Sequence, residues 1–232
     1  MMKFKSVMIC FVLSLLLTIQ FSGCNSGSSS EISLGTNLSF SVRRAMWGQQ
    51  SGVYTTEMDN YFYEEEVNRS VSKVAIVLMD VWDDCENEGW AKRCEQNIQD
   101  RVVPLLEFAR EAGILVIHIP HGYYEMSYLI VPRPGEPVLT DENSQALLIS
   151  ILNDNGIKVI LYAGYAANKC ILFRPEGMIE MHDLGWETYL LRDCSIAVET
   201  RETLATESCY HAALNIIDST FGSVDSDSLA YW

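Results

Sequence analysis

Four stretches of this chain read as strands: Lys73 to Met79, Ile114 to Ile119, Lys158 to Ala163 and Glu187 to Leu191. The first and third are apolar and β-branched with no alternation, the pattern of strands buried on both faces. Between the strands, apolar residues recur at helical spacing. Ile98, Val102, Leu105, Leu106 and Ala109 form one face, and Gly113 closes that helix. A second helix carries Ala146, Leu147, Ile151 and Leu152, with Asp141 or Asn143 as cap and Asn155-Gly156 as stop. A third lies within Glu199 to Ile217, with Ala205, Ala212, Ala213 and Ile216 on its inner face. Strands alternating with helices predict an α/β fold, a three-layer αβα arrangement on a doubly wound, mostly parallel sheet. Residues 34–66 read as an irregular N-terminal arm ending in an alternating edge segment (Tyr61, Tyr63, Glu65), with Glu64-Glu65-Glu66 as a solvated edge. Residues 67–232 then form the main domain.

Two strand ends carry candidate chemistry. The run Val159 to Ala163 leads into Gly164-Tyr165-Ala166-Ala167-Asn168-Lys169-Cys170, so Cys170 sits where a parallel strand gives way to a helix. Backbone N–H groups at such a corner point outward, and the helix dipole favours a thiolate over a thiol. The same N–H groups can hold an oxyanion. A buried structural cysteine is the plain alternative. The run ending at Met79 leads into Asp80-Val81-Trp82-Asp83-Asp84. A carboxylate at the carboxyl end of a central parallel strand stands where α/β sheets place their chemistry, although an isolated Asp is more often a cap or turn residue. Pro175 should kink or restart the helix after Cys170. That kink aims Arg174 either back at the site, to bind a substrate carboxylate, or out to solvent.

Met79-Asp80-Val81-Trp82-Asp83 and the block from Gly164 to Cys170 resemble the isochorismatase-like cysteine hydrolases, whose members include nicotinamidases and N-carbamoylsarcosine amidases. The resemblance runs over most of Val67 to Trp232. It implies Cys170 as nucleophile, Asp80 as its general base, and a cis peptide joining Tyr165 and Ala166. The N–H groups of Ala166 and Cys170 would then form the oxyanion hole. Trp82, Tyr165, Arg133 and Arg174 are the expected substrate contacts. Hydrolysis of a small amide-like C–N substrate through a Cys thioester follows, with no cofactor.

Two departures matter. The family's triad lysine is missing: Gly122 to Asn143 holds no lysine, and its only cation is Arg133, in Pro132-Arg133-Pro134. An arginine cannot share or release a proton as a lysine does. A binding protein with an impaired hydrolase pocket is therefore the alternative function. The aspartate-histidine metal pattern of nicotinamidases is also not reproduced. His118 and His121 lie three apart in an extended run, so their side chains tend to face opposite ways and no metal site is expected.

Composition changes the picture at the chain's start. Lys3 and Lys5 precede an apolar run, Val7 to Ile19, too short to span a bilayer comfortably. Phe21-Ser22-Gly23-Cys24 then resembles a bacterial lipobox, so residues 1–23 read as a lipoprotein signal peptide, Cys24 as the lipidated residue and 24–33 as a polar tether. Export to the cell envelope is the expectation, with plain secretion as the alternative. The formal charge of -15 argues against nucleic acid or an anionic membrane as main partner. Partners reduce to a small-molecule substrate and the membrane through the lipid anchor, with a homo-oligomer left open. Setting Cys10 and Cys24 aside, five cysteines remain, an odd number that leaves at least one thiol unpaired within the chain. Cys85 and Cys94 are close enough in sequence to be bridged.

Overall fold

The computed structural model describes residues 36–46, 49–50, 53–54, 60–83, 87–120, 122, 124–140 and 142–232. The signal segment, Cys24, the tether, Cys85, His121 and Asp141 lie outside these residues. In chain order the elements begin with β1 (Asn37–Met46), the short β2 (Gln49–Gln50) and β3 (Val53–Tyr54), β4 (Tyr61–Ser70) and β5 (Val74–Met79). Next come α1 (Glu88–Asn97), α2 (Val103–Ala112), β6 (Leu115–Ile119), α3 (Ser144–Asp154) and β7 (Val159–Tyr165). The chain ends with α4 (Cys170–Phe173), α5 (Met178–Asp183), β8 (Glu187–Ile196), α6 (Ser208–Thr220), β9 (Ser223–Val224) and β10 (Ala230–Tyr231).

The main sheet runs β10-β1-β9-β8-β7-β5-β6, with β4 paired to β1 along its whole length. Strands β6, β5, β7, β8 and β9 are parallel, and β1, β4 and β10 add antiparallel pairing at one end. The sheet is thus mixed and mostly parallel. Every residue of β5 and β7 is buried, as their unbroken apolar runs require of strands covered on both faces. Alternate residues feed two cores. Ile76 and Leu78 pack with Ile98, Val102, Leu105 and Ala109, while Val77 and Met79 pack with Leu148, Leu152, Ala213 and Ile217. Three layers result, with the sheet in the middle.

Several expectations are corrected. The expected edge segment through Tyr61, Tyr63 and Glu65 is β4, but the arm before it is not irregular: β1 is a long strand, and its Leu38, Phe40 and Val42 are fully buried in the first core. Glu65 in the acidic run is ion-paired with Arg44 at 2.6 Å, while Glu64 and Glu66 remain exposed. The helix through Ile98 is longer than expected, because α1 and α2 continue through a wide turn at Ile98–Val102. Pro104 lacks the N–H that would bond one turn back, and the turn widens there. Gly113 does close α2, at φ 74°. In α3 the buried face is Ser144, Leu148 and Leu152, whereas Leu147 is exposed. Helix α6 starts only at Ser208 and buries Ala213, Leu214, Ile217 and Asp218. Ala205, Ala212 and Ile216 are exposed. The carboxylate of Glu199 accepts the N–H groups of Cys209 (3.0 Å) and Tyr210 (2.9 Å), capping α6 from outside the helix.

Candidate active site

Strand order decides where a site can form. From β5 the chain passes to β6 on one side and later returns as β7 on the other, so the sheet's direction of winding reverses between β5 and β7. The crevice at the carboxyl ends of strands flanking such a reversal is where open α/β sheets bind ligands. Asp80 directly follows β5, and Cys170 follows β7 by one short corner. Gly164 brings the two strands together. It pairs with Met79 at φ 105°, and a Cβ there would stand 2.1 Å from the Met79 carbonyl oxygen.

Asp80 is buried, and its backbone is left-handed at φ 52°, a conformation that non-glycine residues adopt rarely and at functional sites more than elsewhere. Its N–H donates to the Ile119 carbonyl at 3.0 Å. The half-buried Cys170 opens α4, and its thiol is hydrogen-bonded to the Asp80 carboxylate. Arg174 reaches the same carboxylate, Nε to Oδ2 at 3.7 Å. Its extended backbone, imposed by the following Pro175, ends α4 after four residues and returns the side chain to the site. Of the two readings of Arg174, the inward one is observed. Its partner is Asp80.

The electrostatics follow from burial. Desolvation pushes the Asp80 carboxyl up to about 6, against the Cys170 hydrogen bond and Arg174, while nearby Glu176 adds to the rise. Desolvation, the charge of Asp80 and the hydrogen bond to it push the Cys170 thiol up to about 12. The Ala166 N–H, directed at the sulfur, and the exposed Lys169 pull it back only in part. The dipole argument for a resting thiolate therefore fails here. A helix of one turn has little dipole, and the neighbouring carboxylate opposes a second negative charge. At neutral pH the pair rests as thiol and carboxylate. The peptide joining Tyr165 and Ala166 is cis. At the same corner the N–H groups of Ala167, Lys169 and Ile171 are engaged by protein carbonyls.

Residues 74–224 match the Isochorismatase domain family. The chain belongs to the isochorismatase family. Among curated proteins it is similar to the uncharacterized isochorismatase family protein YrdC of Bacillus subtilis, at 23% identity over 160 residues, covering 61% of this chain and 82% of that one. Among solved structures it resembles a cysteine hydrolase from Pseudomonas syringae, with TM-score 0.55 at 16% identity over 68% of this chain and 91% of that chain. The nicotinamidase SaPncA from Staphylococcus aureus gives TM-score 0.52 at 16% identity, over 64% of this chain and 96% of that chain. These two likenesses are of fold.

The isochorismatase-family frame does not gather every expected contact. Trp82 borders Asp80, stacks at a tilt on Tyr124 (4.9 Å), and buries an indole N–H with no hydrogen-bond partner among the described residues. Tyr165 commits its hydroxyl to α1, donating to the Cys94 carbonyl (3.1 Å) and Asn97 Oδ1 (3.0 Å). It braces the site and offers no polar group to a substrate. Arg133 is exposed, and its backbone N–H donates to Glu136 at 2.9 Å. Its turn is held instead by Arg110, which grips Glu136 through Nε (2.7 Å) and Nη2 (2.8 Å). His118 adds Nε2 to Glu136 at 2.9 Å. Burial opposes ionisation of Glu136, yet these donors hold its carboxyl down at about 2. Among the described residues no group of three His, Cys, Asp or Glu side chains could hold a metal.

Sequence reasoning missed Glu176. It is buried beside the site, accepts the Ser144 hydroxyl at Oε1, and lines a cavity of about 330 Å³ with Thr140, Glu142 and Arg174. A single glutamate after a proline carries no spacing signal. A larger groove of about 450 Å³, lined by Met46, Tyr61, Phe62 and Ile216 among others, has no cysteine, histidine or carboxylate in its lining.

Proposed function

We propose that this protein is a cysteine hydrolase of small amide-like substrates. The observation that carries the reading is the Asp80–Cys170 hydrogen bond at the β5/β7 crevice, with Arg174 at 3.7 Å from the carboxylate. Asp80 takes the thiol proton as Sγ bonds to the substrate carbonyl carbon. The N–H groups of Ala166 and Cys170 hold the oxyanion. Asp80 then gives the proton to the leaving nitrogen, the C–N bond breaks, and a thioester remains on Cys170. Water adds to the thioester while Asp80 takes its proton. The C–S bond breaks, the sulfur is reprotonated, and the net reaction is amide plus water to acid plus amine. Arg174 supports this reading because it supplies the positive charge that the absent lysine would have given Asp80. It shares no proton, so Asp80 alone shuttles it.

The test is iodoacetamide labelling of Cys170, followed by mass spectrometry of its peptide, with and without candidate amides. Turnover that protects Cys170 and vanishes in Cys170→Ala supports the hydrolase. Protection without turnover favours a binding protein with an impaired pocket, whose support is the lysine missing from Gly122 to Asn143. We infer further that the protein is exported and lipid-anchored at Cys24, supported by Lys3, Lys5, the apolar run Val7 to Ile19 and Phe21-Ser22-Gly23-Cys24. Mass spectrometry of the mature N-terminus checks this, and an intact Met1 refutes it.

A further inference from the structure

We propose that Glu176 makes this site selective for small amides that carry a protonated amine. The inference rests on the hydrolase reading and names its substrate class. The cavity of about 330 Å³ beside Arg174 has the size of a small-molecule site. Its wall carries two carboxylates, Glu142 and Glu176, against the single guanidinium of Arg174, which already faces Asp80. The positive end of α3 at Ser144 is met by Glu176, whose Oε1 accepts the Ser144 hydroxyl. Oε2 of Glu176 has no hydrogen-bond partner among the described residues, although the residue is only 5% exposed. A buried carboxylate oxygen without a donor is costly, and a charged N–H donor brought by a ligand removes that cost. Glu176 also opposes ionisation of Asp80, so a cation bound at Glu176 favours the base in its working form. A substrate carboxylate in this cavity would instead meet Glu142 and Glu176 together, within a chain of net charge -15.

Three amides of matched length separate the cases: β-alaninamide (ammonium end), butyramide (methyl end) and succinamate (carboxylate end). Ammonia release by the purified full chain gives kcat/KM for each. We expect β-alaninamide to exceed the other two by roughly tenfold or more, the size of one charge-assisted hydrogen bond. Glu176→Gln should bring that ratio close to one, and Glu176→Asp should restore part of it. A loss of fold lowers all three rates together and leaves the ratio alone. Equal rates, a preference for succinamate, or an unchanged ratio in Glu176→Gln overturns the inference while leaving the hydrolase standing. If none of the three is cleaved, protection of Cys170 from iodoacetamide is read instead. Protection by β-alaninamide that Glu176→Gln abolishes supports the inference with hydrolysis refuted for these amides, and absence of protection overturns it.

Discussion

Replacing Arg174 with methionine removes the positive charge at Asp80 while keeping much of the side chain's bulk. At 3.7 Å, two unit charges attract by about 1 kcal/mol in bulk water and about 4 kcal/mol at an effective dielectric of about 20. The Arg174 side chain is 16% exposed and that of Asp80 1%, so the interaction lies above the water limit. The cation favours the ionised carboxylate, so its loss moves the Asp80 pKa upward. At 1.36 kcal/mol per pK unit the rise is about 1 to 3. The wild-type carboxyl titrates at about 6, so the acid limb of Cys170 reactivity should move to about 7 or higher. The assay is the rate of iodoacetamide alkylation at Cys170 across about pH 5 to 9, read by peptide mass spectrometry. Arg174→Lys keeps the charge and should hold the limb near its wild-type position. An acid limb that stays near 6 in Arg174→Met would refute the assignment of Arg174 as the charge that sustains Asp80.

Asp80→Asn should slow alkylation of Cys170 near neutral pH if Asp80 accepts the thiol proton; faster alkylation would mean that Asp80 only repels the thiolate. Because burial raises the Asp80 carboxyl from 3.8 to about 6, its ionisation costs stability above pH 3.8, reaching about 3 kcal/mol beyond pH 6. Urea melts should therefore find Asp80→Asn more stable than wild type at pH 7 and close to it at pH 4. Glu136 has the opposite sign: held at about 2 rather than 4.5, it stabilises the fold by about 3 kcal/mol above pH 4.5, and that stability drains away as pH falls toward 2. Glu136→Gln should lose most of it at neutral pH in the same melts, and an unchanged midpoint would mean that the Arg110–Glu136–His118 cluster does not hold its turn. Ile217→Ala should cost about 2–5 kcal/mol, whereas Ile216→Ala, exposed on the next position of α6, should cost well under about 1 kcal/mol.

Strands β5 and β7 were legible because a strand buried on both faces must be apolar at every position, which leaves a mark in consecutive residues. The polar corners after them, Asp80 and the block ending at Cys170, were legible for the same reason: the apolar run stops where the sheet opens to ligand. Strand β1 was missed although Leu38, Phe40 and Val42 alternate with Ser39 and Ser41, because two arginines follow at once and the burial of the apolar residues needs β4 and β9 in place. Helix faces slipped by a position in α3 and α6, since the helix start is set by contacts such as Glu199 with the N–H groups of Cys209 and Tyr210, distant from the periodic residues. Arg174 was legible as a candidate through the proline after it, but its partner was not: the expected substrate carboxylate is replaced by Asp80. Arg174 lies 94 positions after Asp80 in the chain, and only the parallel pairing of β5 with β7 makes them neighbours. The same holds for the charge state of Cys170. The residue's identity is local, but its protonation depends on how deeply the fold buries it and on which carboxylate stands opposite, and folding alone sets both.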